Sequence, residues 1–272
     1  MNSIGKVFNR LKAKNEGALI GYLTAGDPQP ELTVDLAEAL IRGGVDILEL
    51  GLPFSDPIAD GPTIQAASLR ALTAGTTPKK VFEVADAITK KQKNLPIVIM
   101  TYYNPVFRMG LDKFFSEAKE SGVEGVIVPD LPVEEADAYR TVATKQGIDT
   151  IFLAAPSTTK ERLTRIIACT SGFLYLVSHF GVTGAKSAVE DSTISLVKRV
   201  QINTRGRVPL AVGFGVSKSE HVKGLVAAGA EGVIVGSAFV NLISGNLGYP
   251  DKMCRELEKT ACELKQATIN PV

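Results

Sequence analysis

Apolar residues follow two rhythms along this chain. Short, nearly continuous apolar runs occupy residues 18–24, 45–51, 97–103, 125–129, 149–154, 173–178, 208–213 and 232–236. Between them, apolar residues return every third or fourth place, the spacing of a helix with one buried face. Strands that are apolar on both faces must be covered on both, which predicts parallel strands joined by helical crossovers. A repeated phrase marks the joins: Gly44-Val45-Asp46, Gly122-Val123-Glu124, Gly147-Ile148-Asp149 and Gly229-Ala230-Glu231 each lead into such a run. Glycine there ends a helix before the next strand begins. Eight units of similar grain, with no Gly-x-Gly-x-x-Gly after the first strand, favour a closed (β/α)₈ barrel over an open doubly wound sheet.

Two departures from the regular pattern matter. Ile4, Val7, Phe8 and Leu11 form an apolar stripe ahead of the first strand, predicting an N-terminal amphipathic helix. The interval between the second and third strands is almost twice the usual one. It holds a loop at 52–62 with prolines at 53, 57 and 62, then a helical pattern from Thr63 to about Ala74, then the crossover helix starting near Pro78. A long loop at the C-terminal end of a barrel strand lies where barrels keep their chemistry. No linker or charge block divides the chain, so residues 1–272 are expected to form one barrel domain.

Composition narrows the partners. Thirty Lys and Arg against 29 Asp and Glu leave a net charge of +1, too balanced for a protein built to hold nucleic acid or an anionic membrane. No apolar run is long enough for a transmembrane helix, and three cysteines without a CxxC pair fit a reducing compartment, so a cytoplasmic address is expected. Only His179 and His221 are present, which argues against a multi-histidine metal site, and no metal is expected. None of the eight runs has an interior lysine for a Schiff base.

The remaining chemistry-bearing residues are carboxylates, tyrosines and glycines. In the second run Ile47, Glu49 and Gly51 share one face and Leu48 and Leu50 the other, which turns Glu49 inward near the barrel mouth. A carboxyl group there is either solvated at a strand end or an acid with a raised pKa, suited to proton transfer. Asp60, before Gly61-Pro62, reads equally as a helix cap or a catalytic group. Tyr175, on one face with Phe173 and Val177, and Tyr22 are each core or active-site tyrosines. Glycine-bearing segments follow three consecutive strands: Gly181 to Gly184, Gly213 to Ser217, and Gly236-Ser237 at the start of a short helix. Together they fall where barrels commonly bind phosphate, through backbone N–H groups and a helix N-terminus.

These motifs resemble the tryptophan synthase α-subunit family over essentially the whole chain. The run from Leu48 to Gln65, Pro129-Asp130-Leu131-Pro132, Gly181-Val182-Thr183-Gly184 and Gly213-Phe214-Gly215 occur in the family's order. The resemblance implies retro-aldol cleavage of indole-3-glycerol phosphate to indole and glyceraldehyde 3-phosphate, with no cofactor on this chain. Glu49 matches the acid/base residue, Asp60 the carboxylate that stabilises the cationic indolenine, and Tyr175 a supporting hydroxyl. Tyr22, Met100, Ile127, Leu153, Phe214 and Ile234 match the indole pocket, while Gly184, Gly213, Gly236 and Ser237 match the phosphate site. Thr183 is expected to meet Asp60 over bound substrate, and no role is carried onto His179. The resemblance further implies a β subunit carrying pyridoxal phosphate in an α2β2 complex, which Pro53, Asp56 and the loops at 52–62 and 179–187 would contact. A catalytically silent α-like subunit and a neighbouring phosphate-binding barrel are the rival readings; retention of Glu49 and Asp60 disfavours the first, and the missing strand lysine disfavours indoleglycerol-phosphate synthase.

Overall fold

Each apolar run forms a strand, and the strands close on one another. The structure is a computed structural model that describes residues 3–177, 186–213 and 215–269, with side chains 186–192 outside that description. Among the described residues the strands are β1 (Ala18–Thr24), β2 (Ile47–Gly51), β3 (Ile97–Met100), β4 (Val123–Ile127), β5 (Asp149–Ile151), β6 (Leu153–Ala154), β7 (Leu174–Val177), β8 (Leu210–Gly213) and β9 (Gly232–Val235). They pair in parallel in the order β5-β4-β3-β2-β1-β9-β8-β7-β6. β5 and β6 are the two halves of the expected 149–154 strand, interrupted at Phe152, so the ring closes through that residue as an eight-fold barrel. The Tyr175 N–H still donates to the Phe152 carbonyl at 3.1 Å, which carries the ladder across the break.

Strand bounds differ from the expected ones mostly at the ends. β2 starts at Ile47; just before it the Asp46 N–H still donates to the Leu19 carbonyl at 2.8 Å, while its carboxylate accepts from the Leu19 N–H at 2.9 Å and from Lys265 Nζ at 2.9 Å. β3 ends at Met100, and Tyr103 already begins a helix whose first N–H is held by Asp130 at 2.8 Å. β4 runs from Val123 to Ile127 rather than from 125 to 129, since the Pro129 turn cannot continue the ladder. The end of the expected 173–178 strand, at residue 178, lies outside the described residues.

Alternation along the strands makes two cores. Leu48, Leu50, Ile97, Ile99, Leu174, Leu176, Val233 and Val235 face outward against the helices. Ile20, Ile47, Val98, Ile127, Ile151, Phe173, Tyr175, Ala211 and Ile234 fill the barrel interior. The helix Ser3–Ala13 covers the N-terminal end of that interior, with Ile4, Val7, Phe8 and Leu11 buried in it. An isolated helix of that length is marginal in water; burying four apolar side chains at roughly 1.5–3 kcal/mol each holds it in place. The other end of the barrel, at the C-terminal ends of the strands, is left for a site.

The insertion after β2 forms the helix Pro62–Thr73, which packs against the helix Ser237–Ser244. Ile64 and Ala67 from the first, Val240 from the second and Tyr22 from β1 form a small separate cluster over the barrel mouth. Among the described residues no helix is long and apolar enough to cross a membrane.

Candidate active site

Glu49 sits one residue inside the C-terminal ladder of β2, paired with Tyr22 of β1 and Val98 of β3. It is 3% exposed, and its Oε2 has no hydrogen-bond partner among the described residues. Burial, reinforced by the negative charge of Asp60, pushes its carboxyl from 4.5 up to about 8. The side chain therefore stands protonated at neutral pH, with an unsatisfied polar atom facing a cavity.

Asp60 reaches that cavity from the inserted loop. Gly61, not Asp60, occupies the cap position of the helix Pro62–Thr73, and the helix has no side-chain cap. The capping reading of Asp60 is thus not met, and the loop is held instead at the residue before it, whose N–H donates to the Tyr102 hydroxyl at 3.0 Å. Burial raises the Asp60 carboxyl to about 6, and the Tyr102 hydroxyl opposes the rise. Two carboxyl groups in one site are in this way held apart, one protonated and one ionised near neutrality.

Two tyrosines fold over the top layer of the barrel, and two glycines admit them. A methyl group on Gly51 would lie 2.2 Å from the Tyr22 hydroxyl, and one on Gly213 would lie 2.6 Å from the Tyr175 hydroxyl. The Tyr22 hydroxyl shares a hydrogen bond with Thr24 at 3.1 Å. Burial first, and then the nearby carboxylates, raise both phenols well above their ordinary value, so they act as neutral O–H groups.

These groups enclose a cavity of about 380 Å³ with mostly apolar walls. Tyr22, Glu49, Asp60, Met100, Ile127, Leu153, Tyr175, Ile234, Gly236 and Ser237 all line it. Gly213 does not, because the Tyr175 ring covers it; Gly215 and Val216 line the wall after β8 instead. Thr183, Gly184 and Phe214 lie outside the described residues, as does the 181–184 glycine segment. Pro53 is buried in the chain and away from the cavity, whereas Asp56 is exposed, with the Ser55 hydroxyl donating to it.

Ala59, Gly61, Ile64, Pro129 and Val177 line the wall without having been assigned to the site from the sequence, whereas Gly215 and Val216 belong to the Gly213–Ser217 segment expected there. Val177 was available from its parity with Tyr175, and Ile64 as the first apolar residue of the helix after Asp60. A larger cavity of about 560 Å³ lies alongside, between the loops after β4 and β6, and shares Pro129, Leu153 and Val177 with the first. Glu49 and Asp60 do not line it, so the smaller cavity is the chemical one.

A mostly apolar cavity, two carboxyls of opposite ionisation and the N-terminus of the helix Ser237–Ser244 thus meet at the C-terminal mouth of the barrel. The family model of the tryptophan synthase alpha chain matches residues 8–269. The chain belongs to the tryptophan synthase alpha chain family. The tryptophan synthase alpha chain of Methanosarcina acetivorans is 49% identical over 98% of this chain and 94% of its own, and that of Methanoregula boonei is 47% identical over 97% and 98%. Among solved structures, tryptophan synthase subunit alpha from Legionella pneumophila superposes with a TM-score of 0.88 at 36% identity, covering 98% of each chain. A chain of the tryptophan synthase α2β2 complex from Pyrococcus furiosus gives 0.85 at 45% identity, covering 92% of this chain and 98% of that one.

Proposed function

We propose that this tryptophan synthase alpha chain family member is a carbon–carbon lyase that cleaves indole-3-glycerol phosphate to indole and glyceraldehyde 3-phosphate at the cavity above Glu49. The observation that carries the reading is the pair of carboxyls on one apolar wall, with Glu49 raised to about 8 and Asp60 to about 6. Protonated Glu49 delivers its proton to indole C3, and the ring nitrogen takes up positive charge that ionised Asp60 stabilises. The Glu49 carboxylate then removes the proton of the side-chain hydroxyl. The bond from C3 to the glycerol side chain breaks, its electron pair returns to the ring, and the hydroxyl carbon becomes the aldehyde. Glu49 ends protonated, as it began, and no cofactor on this chain takes part in any step.

Tyr175, neutral and beside Glu49, offers a supporting O–H group. The walls at Tyr22, Met100, Ile127, Leu153 and Ile234 suit a flat ring. At the far wall, Gly236, Ser237 and Gly215 bring backbone N–H groups and the N-terminus of the helix Ser237–Ser244 toward the phosphate. In the family pattern Gly184 adds to the phosphate site, Phe214 to the indole pocket, and Thr183 meets Asp60 over the substrate. Gly213 makes room for the Tyr175 ring.

The chain forms one domain and works with a β subunit that carries pyridoxal phosphate, in an α2β2 assembly in the cytoplasm. The solved α2β2 complex from Pyrococcus furiosus supports the partnership with a β subunit, as do exposed Ile58 and Phe107 on the loop and helix that follow β2 and β3 at the barrel mouth. Asp56 lies on the same exposed loop; Pro53, being buried, shapes that loop from within. The test is to incubate the purified chain with indole-3-glycerol phosphate and follow both products. Equal release of indole and glyceraldehyde 3-phosphate is expected, and a folded chain that releases neither refutes the reading.

A further inference from the structure

Asp60 stands on a loop, and loops hold a catalytic group in place only when something rigid grips them. The grip comes from the strand next door. β3 ends at Met100, whose carbonyl accepts from the Leu52 N–H at 2.8 Å, while the Thr101 N–H donates to Ile127 of β4 at 3.0 Å. Tyr102 is therefore anchored two residues beyond a ladder bonded on both sides, and the next N–H, that of Tyr103, is held by Asp130 at 2.8 Å. From this base the buried Tyr102 side chain reaches back to the inserted loop. Its ring lies against Phe54 with centroids 5.4 Å apart. Its oxygen accepts from the Ala59 N–H at 3.0 Å, which pins the backbone just before Asp60, and its hydroxyl favours the ionised form of the Asp60 carboxyl.

We infer that Tyr102 is a positioning residue for the cleavage reaction, whose hydroxyl and ring fix Asp60 over the cavity by gripping the loop on the residues before it, Ala59 and Phe54. The inference rests on the proposed role of Asp60. The hydroxyl that holds the Ala59 N–H also favours the ionised Asp60 carboxyl, so a shift of the loop weakens both effects together. Tyr102 does not line the cavity and acts on substrate through Asp60 alone. Its O–H stays in place across the working range, because burial and the Asp60 charge raise the phenol's pKa.

The charges that face this pair are few. Asp60 acts on Glu49, Tyr22 and Tyr175 across the cavity, and Asp130 faces Tyr102 from the loop after β4. All of these are acids, and the Tyr102 hydroxyl is the group that lowers the Asp60 pKa against its burial. Removing that hydroxyl must therefore raise it, and the ionised form that the reaction uses must be lost at a higher pH.

The experiment is the pH dependence of kcat/KM for indole release by wild type, Tyr102→Phe and Asp60→Asn. Losing the hydroxyl beside a charged carboxyl, while the ring is kept, should move the acid limb of the Tyr102→Phe profile up by about one pH unit. The rate then falls about fivefold near pH 6 and hardly at all near pH 8, for a limb that starts at about 6. Replacing Tyr102 by 3-fluorotyrosine, a stronger donor of the same shape, should move the limb the other way, which keeps the test alive if the phenylalanine variant does not fold. An unmoved limb in either variant, or an equal loss at every pH, would overturn the inference. Asp60→Asn separates the two layers: wild-type kcat/KM in that variant would remove the role of Asp60 itself, whereas a large loss beside an unmoved Tyr102→Phe limb would remove only that of Tyr102.

Discussion

Glu49 is costly to the fold and useful to the reaction for one reason: burial favours its protonated form. The unfolded chain releases this proton near 4.5 and the folded chain near 8, so between those values the folded state holds the extra proton. Stability must then fall as pH rises through that window. Glu49→Gln removes this slope, and its stability should exceed that of wild type by a margin that grows from about pH 5 to about pH 8, reaching on the order of a few kcal/mol. Thermal melts across pH check this; a margin that does not change with pH would mean that Glu49 is not protonated in the fold. The same two carboxyls predict the rate profile. With Asp60 needed ionised and Glu49 needed protonated, kcat/KM should climb through about 6 and decline through about 8. A flat profile across that range contradicts the assignment. Glu49 could be found from sequence because strict alternation along β2 turns it inward, but its missing partner at Oε2 is a property of the assembled barrel. Tyr102 was passed over although it lies within the expected 97–103 strand, because only its parity with Val98 and Met100 hints at the side it faces and its contact with the inserted loop exists only in the fold.

At the scale of elements, the strands were legible because a strand covered on both faces has to be apolar throughout. The break at Phe152 was not, since that residue is apolar and buried like its neighbours and only the closure geometry sets it apart. Gly213 makes the same point more sharply. Its place after a strand and before Gly215 suggests a backbone approached by phosphate, yet the direction its side chain would take is filled by the Tyr175 ring, at 2.6 to 2.9 Å. Gly213→Ala should therefore act through packing, costing about 1–3 kcal/mol of stability and lowering turnover by displacing Tyr175. Affinity for glycerol phosphate should change less. Urea unfolding together with calorimetry decides this: lost phosphate affinity at unchanged stability would restore the phosphate reading for Gly213.

The whole molecule divides its labour along the barrel axis. The helix Ser3–Ala13 seals the N-terminal end with apolar side chains, and the Asp46–Lys265 pair ties the start of β2 to the C-terminal helix nearby. At the opposite end the inserted loop, the helix Pro62–Thr73 and the helix Ser237–Ser244 build the cavity. Chemistry at the C-terminal ends of the strands and stability at the other end is the arrangement that lets a barrel tolerate a buried acid whose Oε2 has no partner among the described residues. Everything then depends on whether that acid moves the protons. The direct measurement is single-turnover cleavage of indole-3-glycerol phosphate by Glu49→Gln beside wild type, with glycerol phosphate affinity measured on both. Turnover lower by ~10²–10⁴-fold with affinity retained is the predicted result; a folded Glu49→Gln variant that cleaves the substrate at the wild-type rate would contradict it.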